Sequence, residues 1–175
     1  MMFSLLLCLN LSSLVYAKEV NDNQVGSIEL RFNNNKASQI SFSLYKIGDV
    51  IDGSLVQYVP SSSFSNLEFD LNSITTSRDC EEVMNQCKTL IHNEKIMSLQ
   101  KVKANSKGNV YFTNLEVGLY FIKQEDQSKE FQSSNILIAL PMNDDDNLLY
   151  DIVAHPKYFT ISENPKEPPQ PHTPD

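Results

Sequence analysis

Apolar residues recur at every second position through much of the chain. The clearest alternating segments are 26–32, 39–45, 109–115, 117–123 and 148–155. This period is that of a β-strand with one buried face. Segment 134–141 is almost wholly apolar, which predicts a strand buried on both faces. Segment 54–59 is a weaker strand candidate.

One segment has the period of a helix instead. Between Thr76 and Glu94 the apolar residues lie three or four positions apart, which traces one face of an α-helix. Thr76 or Ser77 can cap its N-terminus, and acidic residues follow in the first turn, where the helix dipole favours them. The helix lies between strand candidates, so it is an insertion in a β-structure.

Turn-forming residues separate the strand candidates, most clearly at 105–108 and 143–147. Six or seven short strands with turns between them are typical of a β-sandwich. We therefore predict a mostly β fold, a sandwich with one inserted α-helix at about 76–94. No internal repeat is visible.

Two cysteines, Cys80 and Cys87, lie on the predicted helix. Seven helical residues span about 10.5 Å, whereas the Cα atoms of a disulfide lie roughly 4.4–6.8 Å apart. We expect no bond between them, and instead two buried thiols that act as small apolar residues.

The N-terminus has the pattern of a secretion signal. Residues 3–15 are uncharged and mostly apolar, too few for the about 20 residues that span a bilayer. The run ends at Val15-Tyr16-Ala17, so we predict a signal peptide at 1–17, cleaved between Ala17 and Lys18. No basic residue precedes the run, so the true start lies upstream or the first Met is misplaced. Cys8 lacks the preceding small residues typical of a lipid-modified cysteine, which favours plain cleavage.

The remaining chain is acidic, with 14 basic and 22 acidic residues and a net charge of −8. Without a basic run it is a poor match for nucleic acid or an anionic membrane surface. No second apolar stretch reaches membrane-spanning length. We predict one domain at 18–160 and a proline-rich tail at 161–175. That tail is a spacer or a ligand for a proline-binding partner, and the spacer is favoured.

Candidate enzymatic chemistry is sparse. The three histidines and the cysteines lack metal-ligand spacing, and neither a phosphate-binding glycine loop nor a G-x-S-x-G motif is present. The run 144–146 is acidic but lacks the alternate spacing of a calcium loop, so a solvated turn is favoured. We expect no metal, no cofactor and no enzymatic activity.

Several segments together resemble the N-terminal domain of sortase-assembled pilins of Gram-positive bacteria. The resemblance covers most of residues 25–159, and its segments are GSIELRF (26–32), ISFSLYKIGDV (40–50), CKTLIHNEKI (87–96), NSKGNVYFTNLEVGLYFIKQ (105–124), ILIALPM (136–142) and YDIVAHPK (150–157). It implies that the sandwich of residues 18–160 is immunoglobulin-like.

The segment YDIVAHPK is similar to the pilin motif, a strand that ends in Tyr-Pro-Lys. In that family the lysine amine attacks an acyl-thioester held by a sortase and forms an isopeptide bond. The resemblance implies that Lys157 is this acceptor, and it departs from the family at His155, where tyrosine is usual. A lysine amine has a pKa near 10.4, so it needs an enzyme that supplies a base. Pro156 ends backbone pairing just before Lys157.

Many of these domains also carry an internal lysine–asparagine bond formed beside a buried glutamate. The three corresponding positions here are Phe32 for the lysine, Gln124 for the glutamate and Tyr158 for the asparagine. None matches, so we predict no internal isopeptide and a domain less resistant to heat and protease than its cross-linked relatives.

The sequence thus predicts an exported structural protein, a pilus subunit or pilin-like adhesin of the Gram-positive cell wall, coupled through Lys157. Its partners would be a pilin-class sortase, other pilin subunits and a host surface ligand. The alternative is a secreted β-sandwich binding module for a host protein or glycan, never cross-linked. No sorting motif with an apolar stretch and a basic tail follows the proline-rich segment. A truncated reading frame, a fragment and an acceptor-only subunit all remain open.

The absence of an internal cross-link predicts the intact mass of the processed chain. Mass spectrometry should give the sum of its residues, because Phe32 has no amine with which to displace ammonia from an amide. A mass lower by one ammonia or one water would contradict the prediction, and peptide mapping would then identify the bonded pair.

Overall fold

The computed structural model describes residues 20–160, apart from Asp22, 52–56, Gln127 and 145–146. The predicted signal peptide with its junction at Ala17 and Lys18, and the proline-rich tail at 161–175, lie outside the described residues. One α-helix, α1, spans Ser77–Glu94 within them. No helix in this described part is long and apolar enough to cross a bilayer.

Strands account for more of the described structure than helices do. They are β1 Gly26–Arg31, β2 Ser41–Val50, β3 Tyr58–Pro60, β4 Gln100–Lys103, β5 Asn109–Leu115, β6 Gly118–Gln124, β7 Phe131–Ser133, β8 Ile136–Leu140, β9 Met142–Asp144, β10 Asn147–Leu149, β11 Asp151–Ala154 and β12 Tyr158–Thr160. Short 3-10 helices lie at Asn35–Ala37, Ser62–Phe64 and Leu71–Ser73.

Two sheets form the sandwich. The first has the order β11-β1-β5, with β11 parallel and β5 antiparallel to β1. The second has the order β3-β2-β6-β8, and β4 pairs with the first half of β2. Two short pairs, β9 with β10 and β7 with β12, complete the arrangement. The fold is the mostly β, immunoglobulin-like sandwich with one inserted helix that the sequence predicts.

The sandwich core lies between the two sheets, where the period-two alternation directs the apolar side chains. Its largest fully buried members are Ile28 and Leu30 from β1, Phe42 and Leu44 from β2, and Phe112, Leu115, Tyr120, Ile122 and Phe131. Strands β1 and β5 alternate strictly between buried and more exposed positions over Ile28–Leu30 and Val110–Phe112. Their outer face is therefore polar and open to solvent.

A second cluster, the helix core, covers the opposite face of the second sheet. Tyr45 and Ile47 from β2 and Phe121 from β6 pack there against Val83 and Cys87 of α1. Strands β2 and β6 therefore contribute apolar side chains to both faces. This explains why segment 117–123 has apolar residues at both odd-numbered and even-numbered positions.

The helical cysteines are free thiols, as predicted. Cys87 is buried in the helix core, and desolvation raises the pKa of its thiol to about 12. Cys80 is half-buried, so only one of the two is the fully buried apolar substitute that we expected.

A reciprocal capping box begins α1. The Thr76 hydroxyl accepts a hydrogen bond from the Asp79 backbone N–H at 3.2 Å, and the Asp79 carboxylate accepts one from the Thr76 N–H at 2.7 Å. The helix ends at Glu94, and the C-cap residue Lys95 adopts a left-handed conformation. The predicted bounds of 76–94 include the cap residue and otherwise match.

Three strand predictions differ from the structure. Segment 134–141 was expected to be buried on both faces, but only Leu140 of β8 is buried, because β8 is the last strand of the second sheet. Segment 148–155 is divided at Tyr150 into parts of β10 and β11. Of candidate 54–59, two residues belong to β3, and 54–56 lie outside the described residues.

The capping box predicts a selective loss of stability. Thr76→Ala should lower the free energy of unfolding by about 1 kcal/mol, because the Asp79 N–H loses its acceptor. Thr89→Ala is the matched control: Thr89 is exposed within the helix, where alanine is the better helix former. Chemical denaturation measures both, and equal losses would contradict the assignment.

The same box predicts a pH dependence. Hydrogen bonds from the Thr75 and Thr76 backbones lower the pKa of Asp79 below its ordinary value. Its stabilising effect is thus present above the pKa of an unfolded aspartate, about 3.9, and is lost as pH falls through the lower folded value. Asp79→Asn should therefore be less stable than the wild type at neutral pH, with a difference that shrinks below about pH 4.

Candidate functional site

Lys157 lies just beyond the end of the first sheet. Strand β11 runs parallel to β1, with Ser27 opposite Asp151 and Leu30 opposite Ala154. The segment that follows β11 therefore emerges at the end of β1 remote from Gly26. Burial still alternates there, and the Lys157 side chain is exposed. None of the ion pairs among the described residues includes Lys157.

Two hydrogen bonds from Ser134 hold the backbone of Lys157 in place. Its carbonyl oxygen accepts hydrogen bonds from the Ser134 backbone N–H and from the Ser134 hydroxyl, both at 3.0 Å. Ser134 lies between β7 and β8. The chain after Lys157 becomes β12, which pairs antiparallel with β7, so that Tyr158 lies opposite Ser133. Lys157 thus lies between β11 of the first sheet and β12, which pairs with β7.

Four aromatic rings pack together next to the Lys157 segment, and we call them the aromatic cluster: Phe32, Phe42, Phe131 and Tyr158. Tyr158 stacks on Phe131, with ring centroids 5.1 Å apart and planes 26° apart. The Phe32 ring meets Phe131 edge-on at 5.1 Å and Tyr158 edge-on at 6.1 Å. Both geometries are favourable for aromatic pairs. Tyr158 is 37% exposed, whereas the three phenylalanines are buried.

Gln124, at the end of β6, holds β7 in place through hydrogen bonds to its backbone. Its Nε2 donates hydrogen bonds to the carbonyl oxygens of Asp126 at 2.6 Å and Phe131 at 3.3 Å. Its Oε1 accepts one from the Ser133 N–H at 2.8 Å. The Asp126 carboxylate in turn accepts from the Ser41 N–H at 2.6 Å, and this bond lowers the pKa of Asp126.

The three positions that the resemblance assigns to a cross-link therefore converge on Phe131. Phe32 and Tyr158 reach it with their rings, and Gln124 reaches it through the backbone carbonyl. These three side chains contact Phe131 by ring packing and by a hydrogen bond. The absence of an internal isopeptide stays a prediction, and the mass measurement tests it.

The outer face of the first sheet adjoins Lys157 and is polar. The Arg31 guanidinium donates to both carboxylate oxygens of Glu29, at 2.7 and 2.6 Å. This pairing lowers the pKa of Glu29, with smaller contributions from Tyr111 and the charge of His155. His155 is exposed and lies two residues before Lys157 in the sequence. A surface ion pair of this kind adds little stability, so it shapes the surface more than it holds the fold.

The arrangement offers an exposed primary amine on a fixed backbone. Among the described residues, no group of three or more histidine, cysteine or acidic side chains is placed to hold a metal ion. The acidic run at 144–146 is described only at Asp144, so the expected solvated turn lies partly outside the described residues.

No family model matches the chain, and no curated protein matches it in sequence. Solved structures do. The full-length major pilin SpaD from Corynebacterium diphtheriae superposes with a TM-score of 0.52 at 16% identity, over 81% of this chain and 31% of that one. This chain has the fold of a Gram-positive pilin domain. The T6 backbone pilin of serotype M6 Streptococcus pyogenes gives a TM-score of 0.52 at 17% identity, over 80% and 30%. Both are structural pilins, and the chain spans about a third of their length.

Sequence reasoning singled out Lys157, Phe32, Gln124 and Tyr158 but missed Phe131 and Ser134. Phe131 is a single apolar residue in the polar run SKEFQSSN, and it is fully buried. An isolated aromatic in such a run is a usable signal for a buried anchor. Ser134 has no comparable signal, because its partner is a backbone carbonyl 23 residues away.

The hydrogen bonds of Gln124 predict a specific loss of stability. Gln124→Ala should cost about 1–3 kcal/mol, because the Ser133 N–H and two carbonyls lose their partner. Gln132→Ala, on the exposed side of β7, should change stability by at most about 0.5 kcal/mol. Urea denaturation compares them, and similar losses would show that Gln124 is not the anchor of β7.

A second variant at Gln124 adds a pH test. Gln124→Glu places a carboxylate against the carbonyl oxygens of Asp126 and Phe131, which disfavours the charged form and raises the pKa of the new group. The variant should be unstable at neutral pH and recover stability as pH falls through that raised value. A constant difference across pH 4–8 would exclude this contact geometry.

Proposed function

We propose that this chain is an exported surface protein, a pilus subunit or pilin-like adhesin, joined covalently to other subunits through Lys157. The observation that carries the proposal is an exposed lysine with an anchored backbone, directly after the last strand of the first sheet, in a domain of pilin fold. An acceptor must be reachable and must be held still, and Lys157 meets both conditions.

The reaction needs a partner that holds the preceding subunit as an acyl-thioester. A base of that partner removes a proton from the Lys157 ammonium, and the neutral amine attacks the thioester carbonyl. A C–N bond forms as the C–S bond breaks, and the leaving sulfur takes up the proton that the attacking nitrogen loses, while the base releases its own proton to water. The product is an isopeptide, and the partner returns to its starting state. We infer that a pilin-class sortase is this partner.

The proposed location follows from the N-terminal apolar run and from Lys157. The apolar run in residues 1–17 directs export, with cleavage between Ala17 and Lys18, and covalent coupling at Lys157 retains the product in the cell wall of a Gram-positive bacterium. Other pilin subunits supply the acyl group. A host surface ligand is the further partner if the domain is adhesive.

A binding module that is never cross-linked is the second candidate, and one surface favours it. Met97 and Leu99, which follow α1, are 88% and 58% exposed. They border a cleft of about 390 Å³, lined also by Ser61–Phe64 and by Lys46. Lys46 is paired there with Asp49 at 2.7 Å and Glu116 at 3.0 Å. Exposed apolar side chains beside such a cleft are typical of a protein-binding surface.

The two candidates make opposite predictions for a coupling assay. The processed chain is incubated with a pilin-class sortase and a sorting-motif peptide, and the adduct is mapped by mass spectrometry. We expect attachment at Lys157 and at least a tenfold loss of product in Lys157→Arg, which keeps the charge but removes the nucleophilic amine. Lys101→Arg, at an exposed position of β4, is the matched control and should couple at the wild-type rate.

Each alternative outcome has a definite meaning. Adduct at another lysine would reject the assignment to Lys157 while keeping the acceptor role. No adduct on any lysine, with a sortase that couples a known pilin in parallel, would leave the binding module as the better account.

A further inference from the structure

We propose that Ser134 and Tyr158 are positioning residues that clamp Lys157 for coupling. The clamp consists of the two hydrogen bonds from Ser134 to the Lys157 carbonyl and the stack of Tyr158 on Phe131. This inference rests on the proposed acceptor role of Lys157. It adds that the reactivity of the lysine depends on contacts made by Tyr158, the next residue in the sequence, and by Ser134, its hydrogen-bond partner.

The first reason is that the segment has little else to hold it. Pro156 has no N–H to donate, and β12 has only three residues, all exposed. A strand pair this short has marginal stability alone. Tyr158 is the member of β12 whose ring stacks on the buried core, through Phe131 and Phe32. The pairing of β12 with β7 therefore depends on that ring.

The second reason is the position of the hydrogen bonds. Ser134 donates twice to the carbonyl of the acceptor residue itself, once from the backbone and once from the hydroxyl. These bonds fix the backbone of Lys157 while the side chain stays exposed. An amine projected from a fixed backbone reaches a partner's thioester with less loss of conformational freedom than one on a loose segment.

The third reason is that the clamp joins both sheets at the point of coupling. Strand β12 continues the chain from β11 of the first sheet, whereas β7 follows β6 of the second. Gln124 ties β7 back to the end of β6. A bond made at Lys157 is thereby connected to both layers of the sandwich through side chains next to it.

The test combines a local and a kinetic measurement. Hydrogen exchange of the Ser134 amide reports whether the clamp is closed, and coupling kinetics with a sortase and a sorting-motif peptide report acceptor reactivity. In Tyr158→Ala the Ser134 amide should exchange about tenfold faster, and kcat/KM for the acceptor should fall about tenfold. Tyr158→Phe keeps the ring and should match the wild type in both.

Two further variants separate positioning from general stability. Ser134→Ala removes an exposed hydroxyl, so it should fold normally and still reduce kcat/KM about threefold. Phe64→Leu alters the buried ring that packs edge-on against Tyr45 in the helix core, and should lower global stability without changing Ser134 exchange or coupling. The assays are run well below the melting temperature of every variant.

The outcomes distinguish this inference from the function on which it rests. If the wild type forms no adduct at Lys157, the proposed function fails, and exchange at Ser134 alone shows whether the clamp exists. If the wild type couples, and Ser134→Ala and Tyr158→Ala both couple as fast as the wild type, the positioning role is overturned. If Phe64→Leu slows coupling as much as Tyr158→Ala, the effect is one of stability, and the inference is likewise wrong.

Discussion

The structure depends on a sheet that is apolar on both faces. Strands β2 and β6 direct Phe42 and Ile122 into the sandwich core, and Tyr45 and Phe121 into the helix core. Removing both faces from water is the main driving force available to an acidic domain without disulfides among its described residues. Both faces must therefore be covered: one by the first sheet, and the other by α1 with the 3-10 helices at Ser62–Phe64 and Leu71–Ser73.

This central layer determines where the candidate site can lie. The pairing of β2 with β6 fixes the end of β6, from which Gln124 holds β7. The first sheet is packed on the opposite face and fixes the end of β11. The segment from β11 to β12 connects the two ends, and Lys157 lies in that segment. The lysine is thus placed by the meeting of two layers, although it belongs to neither core.

The sequence predicted those parts of the fold whose pattern is local. Strand β5 has the predicted bounds of 109–115, and α1 begins one residue after the predicted cap. Strands β7 and β12 escaped prediction because each has only three residues, and each exists through pairing with the other. Likewise, motif resemblance can propose Lys157, but the contact from Ser134 depends on a tertiary arrangement that spacing alone does not encode. The half-buried β8 was misjudged because composition does not show which strand ends a sheet.

The central claim is that Lys157 carries a covalent bond to another chain in the producing cell. The most direct measurement is mass spectrometry of tryptic peptides from high-mass surface material of that cell. The account predicts a branched peptide in which trypsin has not cleaved after Lys157, because its amine is joined to the C-terminal residue of a sorting motif. Quantitative cleavage after Lys157 in that material, with only linear peptides recovered, would contradict it.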